Sequence, residues 1–358
     1  ACVAAGATTR TSSNIVLTAI QRRSMANLFR PRAYQGLIAD YIISNKRCAV
    51  WAEMGLGKTV ATLTALEDAN LIEDIYPVLV IAPLRVATST WPNEVRKWAH
   101  LEHLSVLPIC GALEDRLAAM KIPAKIYTTN FEQLPWLQEH YGDKWPFKTV
   151  VVDEATKLKG FRLRQGTQRA KALAKVAHSI IKRIILLTGT PSPNGLADLW
   201  GQMWFIDKGE RLGRTYDAFR QRWFYPDYSG YGYQATDSAQ EQIQAALSDV
   251  CLTVAAKDYF NLAEPIVTKI ELDLPPTAMI LYREMEKQMF MELEGHEVEA
   301  LNAAAKTMKC LQICSGAAYV GEDNSQWKVI HDAKLDALEE VIEEAAGMPV
   351  LVAYHFKS

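Results

Sequence analysis

The chain has 358 residues, which is enough for two or three domains with ample hydrophobic core. Its hydrophobic content of 49% and charged content of 22% are ordinary for a globular protein, and no apolar run approaches the roughly 20 residues of a membrane span. The net charge of −2 excludes a uniformly basic nucleic-acid-binding protein, so any such contact must come from local patches. The cysteines contain no Cys-x-x-Cys pair and indicate reduced thiols in a cytoplasmic protein.

Residues 1–27 are small and polar with a few arginines, and they predict a disordered or extraneous tail. The segment from Phe29 leads into an amphipathic helix that is predicted to continue through Ile43, with Pro31 near its start. Gln35 precedes the glycine-bearing stretch described next, and its amide can pair with both an acceptor and a donor on adenine. By itself, a glutamine at this place is more often a surface residue.

The stretch from Ala52 to Thr59 reads Ala-Glu-Met-Gly-Leu-Gly-Lys-Thr. It follows an apolar run that predicts a buried strand over 48–51 and precedes a predicted helix over 60–69. Its glycines let the backbone turn its N–H groups inward, and the helix adds its positive end, so the loop can cradle phosphates. Lys58 can reach the β- and γ-phosphates of ATP, and the Thr59 hydroxyl can ligate Mg²⁺. The alternative is an ordinary strand–helix turn with a chance Gly-Lys-Thr.

Two later strand ends carry polar residues. The apolar run over 149–152 ends in Asp153 and Glu154, and adjacent carboxylates at such a place are costly unless they bind something. Asp153 would hold Mg²⁺ through its water shell and Glu154 would polarise the attacking water, the alternative being a surface turn. The run over 184–187 ends in Thr188 and Thr190, which could sense the γ-phosphate but are also common turn formers. The predicted nucleotide-binding residues are Gln35, Met54, Gly55, Leu56, Gly57, Lys58, Thr59, Val60, Thr188 and Thr190.

A charge segment of one sign follows the acidic pair. From Lys157 to Arg183 the sequence has nine Lys or Arg and no Asp or Glu. Most charge runs are solvated faces, but a run of one sign beside a nucleotide site favours contact with a phosphate backbone. The predicted nucleic-acid-binding residues are Arg85, Thr129, Asn130, Lys157, Lys159, Arg162 and Arg164.

The coarse order of elements predicts the architecture. Strands over 78–82, 105–109 and 125–129 alternate with helices, which predicts a parallel α/β sheet with ligands at the carboxyl ends of its strands. Residues 207–264 are rich in Tyr, Arg and Gly and predict a mainly helical protrusion or linker. Further on, strands are predicted over 266–274 and 350–354, with helices between them over 277–293, 297–313 and 334–345.

Together these motifs resemble those of the Swi/Snf-like ATPases of helicase superfamily two (the DEAD/DEAH-box type), in their phage or bacterial form. The resemblance covers about residues 28–358. Ala52–Thr59 resembles motif I, Phe29–Gln35 the Q-type motif, Asp153–Lys159 motif II, and Leu187–Asn194 motif III. Thr156 departs from the family pattern, which usually has a histidine there.

The resemblance implies three regions: a RecA-like P-loop NTPase lobe over 28–206, the helical protrusion over 207–264, and an incomplete second RecA-like lobe over 265–358. It implies an ATP- and Mg²⁺-dependent DNA translocase, with double-stranded DNA as partner, in the cytoplasm of a bacterium or phage-infected host. The family's motifs V and VI, which supply arginine fingers, are not found before Ser358, so we expect slow ATP hydrolysis by this chain.

Two other functions fit parts of the sequence. One is a nucleotide- and DNA-binding module without activity of its own. The other is a different P-loop enzyme such as a nucleotide kinase, which would lack the long basic segment and would not respond to DNA. ATP turnover with and without duplex DNA separates the three.

Overall fold

The computed structural model describes residues 27–227, 232–260, 267–295, 300–320 and 326–356. It divides into two units, Ala1–Leu262 and Ala263–Ser358, which are described separately. Of the predicted N-terminal tail, all but Asn27 lies outside the described residues, and Asn27 forms a β-bridge with Trp98.

The first unit is built on a parallel sheet of seven strands. Their order across the sheet is β3-β4-β2-β5-β6-β1-β9, and every neighbouring pair is parallel. In chain order the strands are β1 (Arg47–Ala52), β2 (Val78–Ala82), β3 (Val106–Pro108), β4 (Ile126–Asn130), β5 (Thr149–Asp153), β6 (Arg183–Thr188) and β9 (Cys251–Val254). The predicted α/β class with a parallel sheet is therefore confirmed.

Helices cover both faces of this sheet, which is why its central strands are almost wholly apolar. One face packs against α1 (Ala33–Ser44), α2 (Lys58–Asn70) and α3 (Trp91–Lys97). The other face packs against α5 (Leu134–Tyr141), α6 (Gln168–Ala177), α7 (Asp198–Asp207), α8 (Tyr216–Trp223) and α9 (Ala239–Leu247). The remaining elements are the short helix α4 (Leu113–Met120) and an antiparallel hairpin of β7 (Phe224–Pro226) and β8 (Tyr233–Ala235).

The segment predicted as a protrusion, 207–264, contributes directly to the sheet. Strand β9 pairs in parallel with β1, with Cys251 opposite Ala49 and Val254 opposite Ala52. The interpretation of this segment as mainly helical missed β9 because four residues, one of them an exposed threonine, give little periodic signal.

The second unit contains two long helices, α10 (Pro276–Gly295) and α11 (Ala300–Cys314), the hairpin β10 (Ala317–Val320) with β11 (Gln326–Val329), and α12 (Ala333–Glu344). The three predicted helices are confirmed within a few residues, apart from 296–299, which lie outside the described residues. The predicted strands are wrong: 267–274 and 350–354 have no strand pairing. A strand forms only where a neighbour accepts its backbone hydrogen bonds, and apolar composition alone does not supply that neighbour.

None of the described helices is both long enough and apolar enough to cross a membrane.

Arg47, the first residue of β1, ties the helix layer to the sheet. Its guanidinium donates to the carbonyl oxygens of Ala177 and Phe205, at 3.0 and 2.6 Å, and to those of Ile181 and Ile206, at 2.9 and 2.7 Å. These carbonyls belong to the ends of α6 and α7 or to the turn after α6, where a helix leaves its last C=O groups unpaired. Burial lowers the pKa of Arg47 to about 10.

We expect Arg47→Met to destabilise the first unit by roughly 3 kcal/mol or more, because several buried carbonyls lose their donor together. Urea denaturation measures this. Lys46→Met is the matched control, since Lys46 is exposed and its one ion pair within the described part of the chain is with Glu73, so that its loss should cost less than about 1 kcal/mol. Equal shifts in the two variants would show that Arg47 has no special structural role.

Candidate functional site

Three neighbouring strands bring the predicted chemical groups to one edge of the sheet. In the order β5-β6-β1, Asp153 stands opposite Leu187, and Thr188 stands opposite Trp51. The glycine-bearing loop leaves β1 at this edge and enters α2 at Lys58. The carboxyl edge therefore holds the loop, the acidic pair and the threonine turn side by side, as the sequence predicts.

The loop between β1 and α2 has the backbone that phosphate binding requires. Gly55 and Gly57 have φ values of 81° and 70°, in the left-handed region that favours glycine. A Cβ on Gly57 would also overlap the Gln35 side chain. The turn therefore requires glycine at both positions. At Gly57 there is also no room for a side chain, because Gln35 of α1 lies close to it.

Gln35 lies against this loop. Its Oε1 accepts a hydrogen bond from the backbone N–H of Arg32 at 3.0 Å, and its Nε2 donates to the carbonyl of Leu56 at 3.4 Å. The amide orientation is therefore fixed from both ends. A base held at this side of the loop would meet an oriented amide rather than a free one.

Lys58 is folded over the start of its own loop. Its Nζ donates to the carbonyl oxygens of Ala52 at 2.6 Å and Glu53 at 3.0 Å. Burial lowers the pKa of Lys58, and the nearby carboxylates of Asp153 and Glu154 act against that effect. An ammonium that is half-buried, bound by two carbonyl oxygens and in the field of two carboxylates, is suited to a strongly anionic ligand.

Asp153 is buried, with a relative exposure of 8%. Its Oδ2 accepts from Trp91 Nε1 at 3.0 Å, and its Oδ1 accepts from the N–H of Glu154 at 3.1 Å. Desolvation raises the pKa of the Asp153 carboxyl, while the Trp91 hydrogen bond lowers it. The Trp91 contact could not be predicted from sequence, since Trp91 occupies an apolar core position on α3, 62 residues away along the chain.

The raised pKa of Asp153 predicts a pH dependence of stability. The folded protein binds a proton at this carboxyl more tightly than the unfolded chain does, so stability falls as pH rises from the ordinary carboxyl range, near about 4, through the folded-state pKa. Asp153→Asn removes the titrating carboxyl, and with it this pH-dependent loss of stability, but keeps an oxygen for the Trp91 hydrogen bond.

We therefore expect Asp153→Asn to raise the melting temperature of the nucleotide-free protein, by an amount that increases as the pH rises above about 4. Thermal unfolding at a series of pH values compares the two proteins. A difference that stays constant over this range would show that Asp153 carries no buried-charge cost.

Glu154 has left-handed backbone angles, φ 60° and ψ 55°, which cost a non-glycine residue on the order of 1 kcal/mol or more. Such strain persists where surrounding contacts enforce it, here the hydrogen bond from the Glu154 N–H to Asp153. Its side chain is part-exposed at the same edge as Lys58.

The threonine turn packs onto the phosphate loop. A Cβ on Gly189 would lie 3.5 Å from the Ala52 carbonyl and 3.6 Å from Met54. Thr188 is buried, and its hydroxyl accepts from the Thr190 N–H at 3.1 Å, while Thr190 itself is exposed. Thr188 thus shapes the turn, and Thr190 is the member open to a ligand.

Helix α7 connects the segments that follow Asp153 and Thr188. Asp198 forms an ion pair with Lys159 at 3.3 Å and accepts a hydrogen bond from the Asn194 N–H at 3.0 Å. Gln202 donates to the Pro191 carbonyl at 2.6 Å. A Cβ on Gly201 would lie 2.5 Å from the Lys159 carbonyl, so only glycine permits this packing. The two strand-end segments are therefore fastened to one helix.

The remaining predicted nucleotide-binding residues differ in exposure. Met54 is exposed, whereas the side chains of Leu56 and Val60 are buried in the core and offer only backbone groups. Thr59 is part-exposed in the first turn of α2. One carboxylate and one hydroxyl at the phosphate loop are oxygen donors of the kind that Mg²⁺ prefers, so Asp153 and Thr59 fit that ion.

The basic segment does not form a single solvated face. Arg183 is 4% exposed and donates to the Ile42 carbonyl and to Glu73, which makes it a core residue. Arg169 pairs with Glu132, and Lys175 donates to Gln138. Carboxylates from elsewhere in the chain neutralise some of these positive charges, and a glutamine binds another. The order of charges in the sequence does not reveal these partners.

Among the predicted nucleic-acid-binding residues, Arg85, Lys157 and Arg164 are exposed and Arg162 is part-exposed. The side chains of Thr129 and Asn130 are buried: Thr129 donates to the Ile109 carbonyl and Asn130 to Glu132, so that their contact with a nucleic acid stays a prediction. Lys159 is held by Asp198. These three residues act within the protein in this conformation.

Comparison with known proteins shows consistent similarity. A family model described as the SNF2-related domain matches residues 26–316. Protein p41 of Acyrthosiphon pisum secondary endosymbiont phage 1 is 53% identical over 335 residues, covering 92% of this chain and 73% of the phage protein. Chromodomain-helicase-DNA-binding protein 7 of Gallus gallus is 27% identical over 363 residues, covering 92% of this chain but 11% of that protein.

Among solved structures, the Sulfolobus solfataricus SWI2/SNF2 ATPase core in complex with dsDNA matches with a TM-score of 0.53 and 27% identity. The match covers 90% of this chain and 66% of the Sulfolobus chain. The chain thus spans about three quarters of the phage protein, just under two thirds of the Sulfolobus core and about a tenth of the chromodomain protein.

Proposed function

Because the chain belongs to the SNF2-related ATPase family, we propose that it binds and hydrolyses Mg-ATP at the carboxyl edge of its sheet and uses this reaction to move on double-stranded DNA. The observation that carries the proposal is the arrangement of Lys58 with Asp153 and Glu154. A half-buried ammonium and two adjacent carboxylates act on one another where a glycine-bearing loop opens a helix. These are the parts that phosphoryl transfer to water requires.

Each residue has a defined task in this proposal. The N–H groups of the loop and the Lys58 ammonium bind and orient the phosphates, and Gln35 orients the base. Thr59 and Asp153 hold Mg²⁺, which supplies charge neutralisation for the phosphate oxygens. Glu154 accepts a hydrogen bond from the attacking water and positions it. Thr190 is exposed on the turn that packs against the loop, and in this proposal its hydroxyl responds to the terminal phosphate.

The raised pKa of Asp153 agrees with a metal-binding task. A carboxylate that pays a desolvation cost in the nucleotide-free protein regains favourable interaction when a cation is bound beside it. The Trp91 hydrogen bond keeps Oδ2 oriented. Trp91 is therefore a positioning residue for this site.

The DNA partner is supported by the Sulfolobus core solved with dsDNA and by the exposed residues Arg85, Lys157 and Arg164 and the part-exposed Arg162. The phage origin of protein p41 supports action in the cytoplasm of an infected bacterium. Slow turnover by this chain, the expectation from the sequence, stays a prediction.

The reaction itself separates an ATPase from a nucleotide kinase. We expect the 358-residue chain to release inorganic phosphate from ATP when Mg²⁺ is present and to stop when the ion is chelated. Addition of nucleoside monophosphates should not divert the phosphate. Transfer of the phosphate to a nucleoside monophosphate would support the kinase instead, and ATP binding without any release would support the inactive binding module.

A further inference from the structure

A cleft of about 690 Å³ lies between the loop of residues 160–167 and helix α8. Arg162, Arg164, Tyr216, Asp217 and Arg220 line it, and we refer to it as the basic cleft. Two of these residues belong to the basic segment, whereas the other three lie in the part of the chain that was predicted as a protrusion. The fold alone brings the two groups together.

The loop side of the basic cleft is preformed. A Cβ on Gly166, whose φ is 127°, would lie 2.9 Å from the Gly160 carbonyl and 3.0 Å from the Arg162 N–H, so the loop closes tightly on itself. Arg162 Nη1 donates to the carbonyls of Lys159 and Phe161, at 3.0 and 2.6 Å. These contacts fix the guanidinium plane and leave its Nε and Nη2 without a hydrogen-bond partner in the described part of the chain.

Aromatic rings lie against two arginines of the basic cleft. The Arg162 guanidinium lies 3.4 Å from the centre of the Tyr216 ring, and the Arg220 guanidinium lies 4.2 Å from the centre of the Tyr233 ring. Stacking of this kind holds a guanidinium flat on a ring and directs its N–H edge outward. The arginines are therefore oriented before any ligand arrives, which lowers the ordering cost of binding.

The charge of the basic cleft is unbalanced. Asp217 is its single lining carboxylate among the described residues, and it pairs with Arg220 at 3.0 Å. Arg164 is exposed and has no ion-pair or hydrogen-bond partner among the residues that the structure describes. Two positive charges thus remain uncompensated, in contrast to Lys159, Arg169 and Arg183, which are paired elsewhere.

We propose that the basic cleft binds consecutive phosphodiester groups of a nucleic acid strand, with Arg162, Arg164 and Arg220 as the contacts. Oriented guanidiniums on two walls suit a charged backbone that runs through the cleft better than a single compact anion. The proposal rests on the proposed function in that it specifies where that function's nucleic acid is held. It extends the contact surface to α8, which the basic segment did not include. Duplex and single-stranded nucleic acids share the phosphodiester chemistry, so the experiment includes both.

The test uses the double variant Arg164→Ala/Arg220→Ala and, as matched control, Lys148→Ala/Lys182→Ala. The control also removes two exposed positive charges, but next to the first residues of β5 and β6, at the opposite edge of the sheet. Binding of a fluorescent duplex and of a single strand of the same sequence is measured between about 0.05 and 0.2 M salt.

We expect the cleft variant to bind one of the two nucleic acids roughly 30-fold more weakly than the parent at about 0.15 M salt. Its salt slope should decrease by up to about 1.8 for duplex or about 1.4 for a single strand, because two phosphate contacts are lost. The nucleic acid that shows the loss is the one held in the cleft. The control should stay close to the parent.

Equal affinity and slope in the cleft variant and the control, with unchanged thermal unfolding in both, would overturn the cleft assignment while the parent still binds DNA. If the parent binds neither nucleic acid, the proposed function itself fails. The two failures are therefore distinguishable by the parent protein alone.

Discussion

Lys58→Ala is expected to weaken Mg-ATP binding on the order of 100-fold or more, because a charge-assisted contact to the phosphates is lost from a half-buried site. The fold should be preserved. In the nucleotide-free protein Lys58 donates, among the residues that the structure describes, only to the carbonyls of Ala52 and Glu53, and its burial lowers its pKa, so the folded state does not depend strongly on its charge.

Equilibrium binding of a fluorescent ATP analogue, with thermal unfolding as a check on folding, measures this effect. Lys182→Ala is the matched control, since it removes an exposed lysine next to the first residue of β6, at the far edge of the sheet. Parental affinity in a folded Lys58→Ala protein would show that the phosphates bind elsewhere.

Glu154→Gln is expected to lower turnover by about 10²- to 10⁴-fold and to leave Mg-ATP affinity nearly unchanged. The amide keeps the size of the side chain and the strained backbone of residue 154, but it lacks the negative charge with which Glu154 polarises the attacking water. The split between catalysis and binding is the specific signature, because a merely structural defect would change both.

Glu132→Gln is the control for this variant. Glu132 is an exposed carboxylate two residues beyond β4, at the same edge of the sheet, and it pairs with Arg169. The Glu132→Gln protein should hydrolyse ATP at the parental rate in the absence of DNA. If Glu154→Gln does so as well, another residue positions the water.

The site edge could be predicted from sequence because its signals are local. Each of the three strands has five or six residues and is built around a short apolar run, and its polar groups stand at its end or follow within a few positions, as with Asp153 and Thr188. Parallel strands deliver their carboxyl ends to one edge, so the juxtaposition follows from the fold class without knowledge of individual contacts.

The contacts that support this edge could not be predicted, because they join distant positions whose residue types are ordinary. Trp91 reaches Asp153 across 62 positions, and Asp198 meets Lys159 across 39. Arg47 had no predicted role although it holds the ends of two helices. Each is a pairing that only the three-dimensional path of the chain creates.

The basic segment also has contacts that could not be predicted from the sequence. Its charges are local in sequence, but their partners are not, so that Arg183 becomes a core residue and Arg164 remains available. The strand predicted over 350–354 failed for a related reason, since strand formation depends on a neighbour that sequence composition does not reveal.

The proposed function requires that DNA stimulate the hydrolysis of ATP. Steady-state release of phosphate by the 358-residue chain, with and without a saturating DNA duplex and in parallel with Glu154→Gln, tests it most directly. We predict slow Mg²⁺-dependent release that the duplex increases, and loss of both the basal and the stimulated rate in Glu154→Gln. Release that the duplex leaves unchanged, or that persists in Glu154→Gln, would contradict it.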